Sequence, residues 1–190
     1  MSLHYGEGYL VSTSEDKTVR LYEAKSKELK AIMSGFSYTV NDACIFKKDG
    51  HLFVIAGCDS QGEKPLYLAC FAFLERCLPL MDPEQPLYYI TEITKPVFCV
   101  SHHESSARHT ILTGGKDNSV SLWDIEKDAY ALRTTLVGHE GCIRGCGTVK
   151  CGDDEVVFSV SHDKTVRLWS LETYRCEAVM SGHSDWITSA

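Results

Sequence analysis

The same ten-residue phrase occurs twice in this chain of 190 residues, at 14–23 and at 161–170. The copies, SEDKTVRLYE and SHDKTVRLWS, share seven letters at an offset of 147 positions. The match continues without a gap over residues 9–35 and 156–182, which both end in MSG. A long internal repeat predicts that the fold consists of several similar units stacked side by side.

Two further stretches follow the same order of residue types. Residues 109–140 follow it closely, and residues 52–71 follow it weakly. One aspartate marks each copy, at spacings of 43, 58 and 46 residues, and these are Asp16, Asp59, Asp117 and Asp163. A period in the forties with recurring Trp-Asp and Gly-His pairs is typical of β-propeller blades.

The residues around each repeated aspartate predict a β-hairpin. In the last copy the apolar run VVFSVS precedes Asp163, and an alternating run from Thr165 to Trp169 follows it. Alternation places Val166 and Leu168 on one face of a strand. An aspartate in a tight turn accepts hydrogen bonds from the backbone of the next residues. Two β-runs joined by such a turn form a hairpin.

These motifs resemble those of the WD40, or tryptophan–aspartate, repeat family. They are Trp123-Asp124, Gly138-His139, Gly182-His183 and the DKTVRLW phrase. The resemblance covers nearly the whole chain, clearly in three repeats and poorly in one. It implies an all-β protein, a β-propeller of four-stranded antiparallel blades, with about four blades' worth of strands in this chain.

The strand order predicts that the chain starts out of phase with the blades. Its first apolar run reads as the second strand of a blade, and its last residues read as the missing innermost strand. The predicted blades are 1–36 completed by 182–190, then 37–94, 95–138 and 139–181. Three arrangements stay open: part of a longer propeller, a pairing with another copy or another chain, and a ring closed on four blades.

The resemblance also implies hydrogen-bonded tetrads that hold the blades. In this family each tetrad combines a histidine of the Gly-His loop, a hydroxyl of the second strand, the turn aspartate and the tryptophan. The full set here is His139, Ser159, Asp163 and Trp169. An incomplete set is Thr113, Asp117 and Trp123. A third set is Ser12, Asp16 and Tyr22, with His183 from the end of the chain as its histidine.

The chain is predicted to be no enzyme and to hold no cofactor or metal. A serine, a histidine and an aspartate also compose hydrolase triads, but the same three residues fit the structural tetrad. The nucleophile sequence G-x-S-x-G does not occur. The cysteines of 142–151 match no common zinc spacing, and a functional metal site is not expected at the histidines of 101–109.

Composition narrows the class of partner and the compartment. A formal net charge of −7 gives no general attraction to nucleic acid or to anionic membranes, so neither is expected as a partner. The nine cysteines are odd in number and contain no CxxC pair. Together with the absence of a signal-peptide pattern at the first residues, this favours the cytoplasm, with the nucleus as the alternative.

We therefore predict a non-catalytic scaffold for protein–protein interaction, with proteins or peptides as partners. Basic side chains beside two turns either contact an acidic partner or pair with local carboxylates, and these are Lys17, Arg20, Lys164 and Arg167. The proline-containing stretch 75–89 is expected to be a loop between strands, either a partner contact or a tolerated insertion. The alternative function is a reader of modified peptides or ubiquitin. The phrases GHEGCIRG and MSGHS are similar to those of the ubiquitin-binding propeller of phospholipase-A2-activating proteins.

Overall fold

The computed structural model describes residues 2–59, 68–74, 86–105, 108–125, 129–152 and 154–190. Within these ranges the chain forms sixteen strands and no helix, and thus no helix long and apolar enough to cross a membrane. The strands assemble into four antiparallel sheets of four strands each. The all-β class and the four-stranded units predicted from the sequence are confirmed.

Each sheet is built from four consecutive strands, and neighbours along the chain are neighbours in the sheet. The first sheet contains β1 (Leu3–Gly6), β2 (Tyr9–Thr13), β3 (Val19–Glu23) and β4 (Leu29–Met33). The second contains β5 (Val40–Lys48), β6 (His51–Cys58), β7 (Leu68–Leu74) and β8 (Tyr88–Tyr89). The third contains β9 (Val97–Ser105), β10 (Arg108–Gly115), β11 (Ser119–Ile125) and β12 (Tyr130–Val137). The fourth contains β13 (Ile143–Cys151), β14 (Asp154–Ser161), β15 (Val166–Ser170) and β16 (Cys176–Met180).

The chain divides into two compact units, Met1–Val97 and Phe98–Ala190. In the first unit, alternation along β3 turns Val19 and Leu21 inward, and both are fully buried. They belong to one apolar cluster with Val54 of the second sheet. This cluster is the core of the first unit, because apolar area removed from water is the main favourable contribution to folding.

The second unit has an equivalent core between its two sheets. Val120 and Leu122 of β11 are fully buried and lie in one cluster with Val157 and Trp169 of the fourth sheet. Val120 and Leu122 are two residues apart and therefore lie on one face of β11. The two cores are therefore built from corresponding strands of the repeat.

The prediction that the first sheet lacks its innermost strand is wrong. Residues Leu3–Gly6 form β1, which pairs antiparallel with β2 from Leu3↔Ser12 to Gly6↔Tyr9. Glu7 and Gly8 join the two strands with positive φ values of 58° and 84°. A two-residue loop with both φ values positive matches the right-handed twist of a hairpin. Residues 182–190 contain no strand, so they do not complete the first sheet as a strand.

The predicted loop 75–89 falls largely outside the described residues. Residues 75–85 lie outside them, whereas Tyr88 and Tyr89 form β8 and pair with Cys70 and Ala69 of β7. The end of the stretch is therefore a strand and not part of a loop. A two-residue strand at a sheet edge carries too few residues for the alternation that identifies strands in sequence.

Candidate functional site

The structure brings His139, Ser159, Asp163 and Trp169 together on the fourth sheet. His139 Nδ1 lies 2.6 Å from Asp163 Oδ2, and His139 Nε2 lies 2.8 Å from Ser159 Oγ. The indole N–H of Trp169 donates to the same Ser159 oxygen at 2.8 Å. The four side chains thus form one continuous chain of hydrogen bonds.

The chemistry of the donors gives this chain a single direction. Trp169 can only donate, so the Ser159 oxygen accepts from it and the Ser159 O–H donates to Nε2 of His139. His139 then carries its proton on Nδ1 and donates to the Asp163 carboxylate. One tautomer of a neutral imidazole satisfies every group in the chain.

The local fold places each member. Ser159 in β14 pairs with Arg167 of β15, two residues before Trp169, so the serine and the tryptophan lie on one face of the sheet. Asp163 is in the intervening turn, where its Oδ1 accepts from the Thr165 N–H at 2.9 Å and the Thr165 hydroxyl at 2.7 Å. Sequence reasoning missed Thr165, although a hydroxyl residue two positions after the aspartate recurs in the repeats.

The charges of the site follow from these contacts. Burial raises the pKa of Asp163, but the hydrogen bonds from Thr165, His139 and the Glu140 N–H outweigh it and hold that pKa at about 2. Burial lowers the pKa of His139 below its usual 6.5 and outweighs the opposing bond to Asp163. The hydrogen bonds from Trp169 to Asp163 require this pair, a charged Asp163 carboxylate beside a neutral His139 imidazole.

The arrangement does not produce an accessible nucleophile. Ser159 is 0% exposed and its oxygen is engaged by both His139 and Trp169. A serine nucleophile must reach a substrate carbonyl while its base takes the proton. The buried hydroxyl has no such access, and its hydrogen bonds are made to the other members of the tetrad.

The second predicted set is only partly connected. The Trp123 indole donates to Thr113 Oγ1 at 3.0 Å. Asp117 accepts from the Ser119 N–H at 3.2 Å in its own turn, and no contact joins it to the other two among the described hydrogen bonds. The third sheet thus keeps the tryptophan–hydroxyl bond of the fourth sheet without its histidine.

The third predicted set lies around an open pocket on the first sheet. Ser12, Asp16, Arg20 and Tyr22 line a cavity of about 460 Å³. Asp16 accepts from the Thr18 hydroxyl at 2.6 Å and from its N–H at 3.0 Å. The remaining member, His183, belongs to the other compact unit and is exposed in the segment after β16. Its pairing with the first sheet stays a prediction.

The four basic residues have different environments. The Arg20 guanidinium pairs with Asp16 at 3.3 Å, and the Lys164 ammonium donates to the Ser184 carbonyl at 2.8 Å. The Arg167 guanidinium lies 5.9 Å from the centre of the Trp169 ring. Lys17 is exposed at the tip of its turn. Three of the four therefore have partners inside the chain, and their role in partner contact stays a prediction.

The histidine-rich strand pair does not assemble a metal site in the described residues. The rings of His102 and His109 stack at 5.3 Å, with Nε2 of the first 3.1 Å from Nδ1 of the second. Burial lowers the pKa of His102 to about 3. In the part of the chain that the structure describes, no three His, Cys, Asp or Glu side chains converge as metal ligands would.

Comparison with known protein families identifies the repeat. The family described as WD domain, G-beta repeat matches residues 85–124 and 131–170. Each match starts near the outer strand of one sheet and ends in the third strand of the next. The chain therefore contains WD40 repeats at residues 85–124 and 131–170.

Two known proteins show how far the sequence similarity extends. Nuclear distribution protein PAC1 of Arthroderma otae is 27% identical over 194 residues, which cover 94% of this chain and 40% of that protein. DDB1- and CUL4-associated factor 13 of Xenopus tropicalis is 35% identical over 77 residues, which cover 40% of this chain and 16% of that protein. The chain spans two fifths or less of the length of these relatives.

A solved structure supports the fold. The WD40 beta propeller domain of Doa1 superimposes with a TM-score of 0.75 at 18% identity. The superposition covers 99% of this chain and 55% of that one. At this identity the likeness establishes the β-propeller fold and says nothing about function.

Proposed function

We propose that this WD40 repeat chain is a non-catalytic scaffold that binds other proteins or peptides. The proposal rests on the polar side chains of the repeat, which form hydrogen bonds with one another in the interior. His139, Ser159 and Asp163 satisfy one another, and the serine is fully buried. Satisfied buried networks stabilise one packing of a fold, which leaves contact with partners to the surface.

The second unit offers a surface suited to a protein segment. A groove of about 630 Å³ runs between side chains of its two sheets. Exposed carboxylates line it at Glu172 and Glu177, beside the exposed guanidinium of Arg108. Charges of this kind at the rim of an interface select partners and speed their association more than they add affinity.

The known relatives support a protein partner. The name of the Xenopus tropicalis relative records its association with DDB1 and CUL4. We propose the same class of partner, a protein, for this chain. We place its action in the cytoplasm, with the nucleus as the alternative, because the nine cysteines are odd in number and contain no CxxC pair.

Affinity capture with a charge-reversed groove tests the proposal. The double variant Glu172→Lys, Glu177→Lys is compared with the wild type, and Glu15→Lys serves as an exposed control outside the groove. We expect a set of captured proteins to bind the wild type and the control and to be reduced at least ~5-fold with the double variant. Equal capture by all three contradicts the groove as the contact.

Two further measurements distinguish a scaffold from a ubiquitin reader and from a hydrolase. Calorimetric titration with ubiquitin tests the alternative of a ubiquitin reader, and saturable binding would favour it over a general scaffold. Hydrolase turnover of the wild type that is abolished by Ser159→Ala, in a variant that keeps its fold, contradicts the non-catalytic assignment.

A further inference from the structure

Two buried thiols face each other inside the second unit. The sulfur atoms of Cys99 and Cys146 lie 3.4 Å apart. Cys99 is in β9 of the third sheet and Cys146 is in β13 of the fourth. Their exposed fractions are 4% and 8%, and both side chains belong to the apolar cluster between the two sheets. The pair therefore spans the boundary between neighbouring sheets, although its members are 47 positions apart along the chain.

The separation of the two sulfurs is close to what a disulfide bond requires. Both cysteines are free thiols in the structure. A disulfide S–S bond is about 2.05 Å long, so the two sulfurs have to approach each other by about 1.4 Å. When both side chains turn, each sulfur moves by half of that distance. Formation of the bond therefore needs a local adjustment and no rearrangement of the sheets.

A glycine leaves the space that the Cys99 sulfur occupies. Gly114 lies in β10, and a Cβ atom there would be 2.8 Å from Cys99 Sγ. The Gly114 carbonyl oxygen lies 3.6 Å from the same sulfur, at the distance of a weak S–H bond. A side chain at position 114 would push the sulfur away from this place. The close approach at Gly114 thus helps to position Cys99 opposite Cys146.

The strands that carry the two thiols can move locally. The pairing of β13 with β14 shifts its register between Ile143 and Gly145, just before Cys146. Such a bulge interrupts the ladder of hydrogen bonds and bends the strand. In addition, β9 and β13 are the end strands of their sheets. An end strand is held by backbone bonds on one side, so its local opening breaks fewer bonds and can admit a small oxidant.

We propose that Cys99 and Cys146 are a reversible oxidation site that links the third and fourth sheets. In a reducing compartment both remain thiols. With hydrogen peroxide as the oxidant, one thiolate attacks a peroxide oxygen, the O–O bond breaks, and a sulfenic acid forms as hydroxide leaves. The second thiolate attacks that sulfur, the S–O bond breaks, and the S–S bond forms as a second hydroxide leaves. The two thiol protons convert the hydroxides to water, so two thiols and one peroxide give one disulfide and two waters.

The bond stabilises the folded unit and can be removed again. A disulfide between residues 99 and 146 closes a long loop in the unfolded chain, which lowers the entropy gained on unfolding. Thiol–disulfide exchange with a reductant restores the two thiols. The oxidised form is therefore a more stable state of the same fold, and this chemistry is independent of the partner that the chain binds.

Peptide mapping of the intact wild-type chain tests whether the bond forms. After peroxide treatment, N-ethylmaleimide in denaturant blocks the remaining thiols. Trypsin cleaves after Arg144 and Lys150, so Cys146 stands alone in the peptide 145–150. We expect most of this peptide to be joined to the peptide 77–108, with fragmentation placing the link at Cys99 and not at Cys77. Dithiothreitol should release it.

Two results of the mapping would overturn the proposal. One is recovery of the peptide 145–150 with its thiol blocked by N-ethylmaleimide after peroxide treatment. The other is a link from Cys146 to a cysteine other than Cys99.

Thermal melting tests the link between the sheets. Oxidation should raise the melting temperature of the wild type by at least ~5 °C. Cys146→Ala should melt at the same temperature before and after peroxide, because it cannot form the bond. Cys176→Ala removes an exposed thiol outside the pair and should keep the full rise. A linked wild type that gains no thermal stability overturns the proposal, as does a rise that persists in Cys146→Ala.

Discussion

At the scale of single residues, the fourth sheet depends on one carboxylate. Asp163 accepts from His139, Thr165 and the Glu140 N–H, so its removal leaves several donors unpaired. We expect Asp163→Ala to lower the free energy of unfolding by about 1–3 kcal/mol, the usual cost of unsatisfied buried groups. Urea denaturation measures it. The comparison is Asp117→Ala, which removes a bond to Ser119 within an exposed turn and should cost less. Superimposed curves for Asp163→Ala and the wild type would contradict the role.

The turns that contain the repeated aspartates carry backbone strain. Lys17 and Lys164 occupy the position after the aspartate with φ values of 67° and 71°, and Asn118 does so with 64°. Asparagine tolerates this left-handed region better than lysine does. We expect Lys17→Asn to raise the free energy of unfolding by about 0.5 kcal/mol, measured by thermal melting. Lys116→Asn, in the equivalent turn at a position without positive φ, should give no gain. Equal effects at Lys17 and Lys116 would show that strain is not the cause.

At the scale of strands, the close approach of the third and fourth sheets requires a glycine. A Cβ atom at Gly114 in β10 would lie 2.5 Å from Ile143 Cγ2 and 2.8 Å from Cys99 Sγ. We expect Gly114→Ala to lower the free energy of unfolding by about 1–3 kcal/mol, because an overfilled core forces its neighbours apart. Urea denaturation measures the change.

A double variant tests whether that loss comes from the predicted contact. Ile143→Ala removes Cγ2, the nearest of the atoms that the new Cβ meets, although it opens a cavity of its own. The combination Gly114→Ala, Ile143→Ala should therefore cost less than the sum of the two single changes. If the costs of the two single changes simply add, the strain at Gly114→Ala does not come from contact with Ile143.

Among the strands, β1 shows what the repeat pattern could and could not predict. The hairpins around Asp16 and Asp163 follow from local signals, an apolar run, a turn aspartate and an alternating run, and the structure contains both. The strand Leu3–Gly6 was missed because its residues have no counterpart in the other copies. Its signal is the short Glu7-Gly8 turn, which forms a hairpin through positive φ values and not through the repeated aspartate.

At the scale of the whole molecule, we expect the two units to respond to acid in opposite directions. The bond to Asp42 raises the pKa of His4 in the first unit above 6.5. This contribution is present below pH 6.5 and is lost as the pH rises through the raised pKa. Burial lowers the pKa of His139 in the second unit below 6.5. That contribution is present above pH 6.5 and is lost as the pH falls. Burial lowers the pKa of His102 to about 3, which adds to the same loss in the second unit.

Hydrogen exchange can resolve this difference. As the pH falls from 7.5 to 5.5, we expect protection factors to decrease in β14 and β15 while those in β1 and β2 hold or increase. His139→Ala should reduce the pH dependence in β14 and β15, because one of the groups that titrate in the second unit is gone. His51→Ala, which alters a histidine in the β5–β6 turn, should leave both responses unchanged. A uniform loss of protection across both units would contradict the assignment.

The sequence by itself determined the repeated four-stranded sheet and the residues of its hydrogen-bonded tetrad. Trp169, Asp163 and Ser159 lie within one hairpin, so strand alternation and turn chemistry bring them together wherever that hairpin forms. Only the tertiary structure decided which faces are covered. Val19 and Val166 stand in the same phrase, yet one is fully buried and the other is half-buried. The physical reason is that alternation assigns a side chain to a face, whereas burial depends on what packs against that face, and those residues lie far away along the chain.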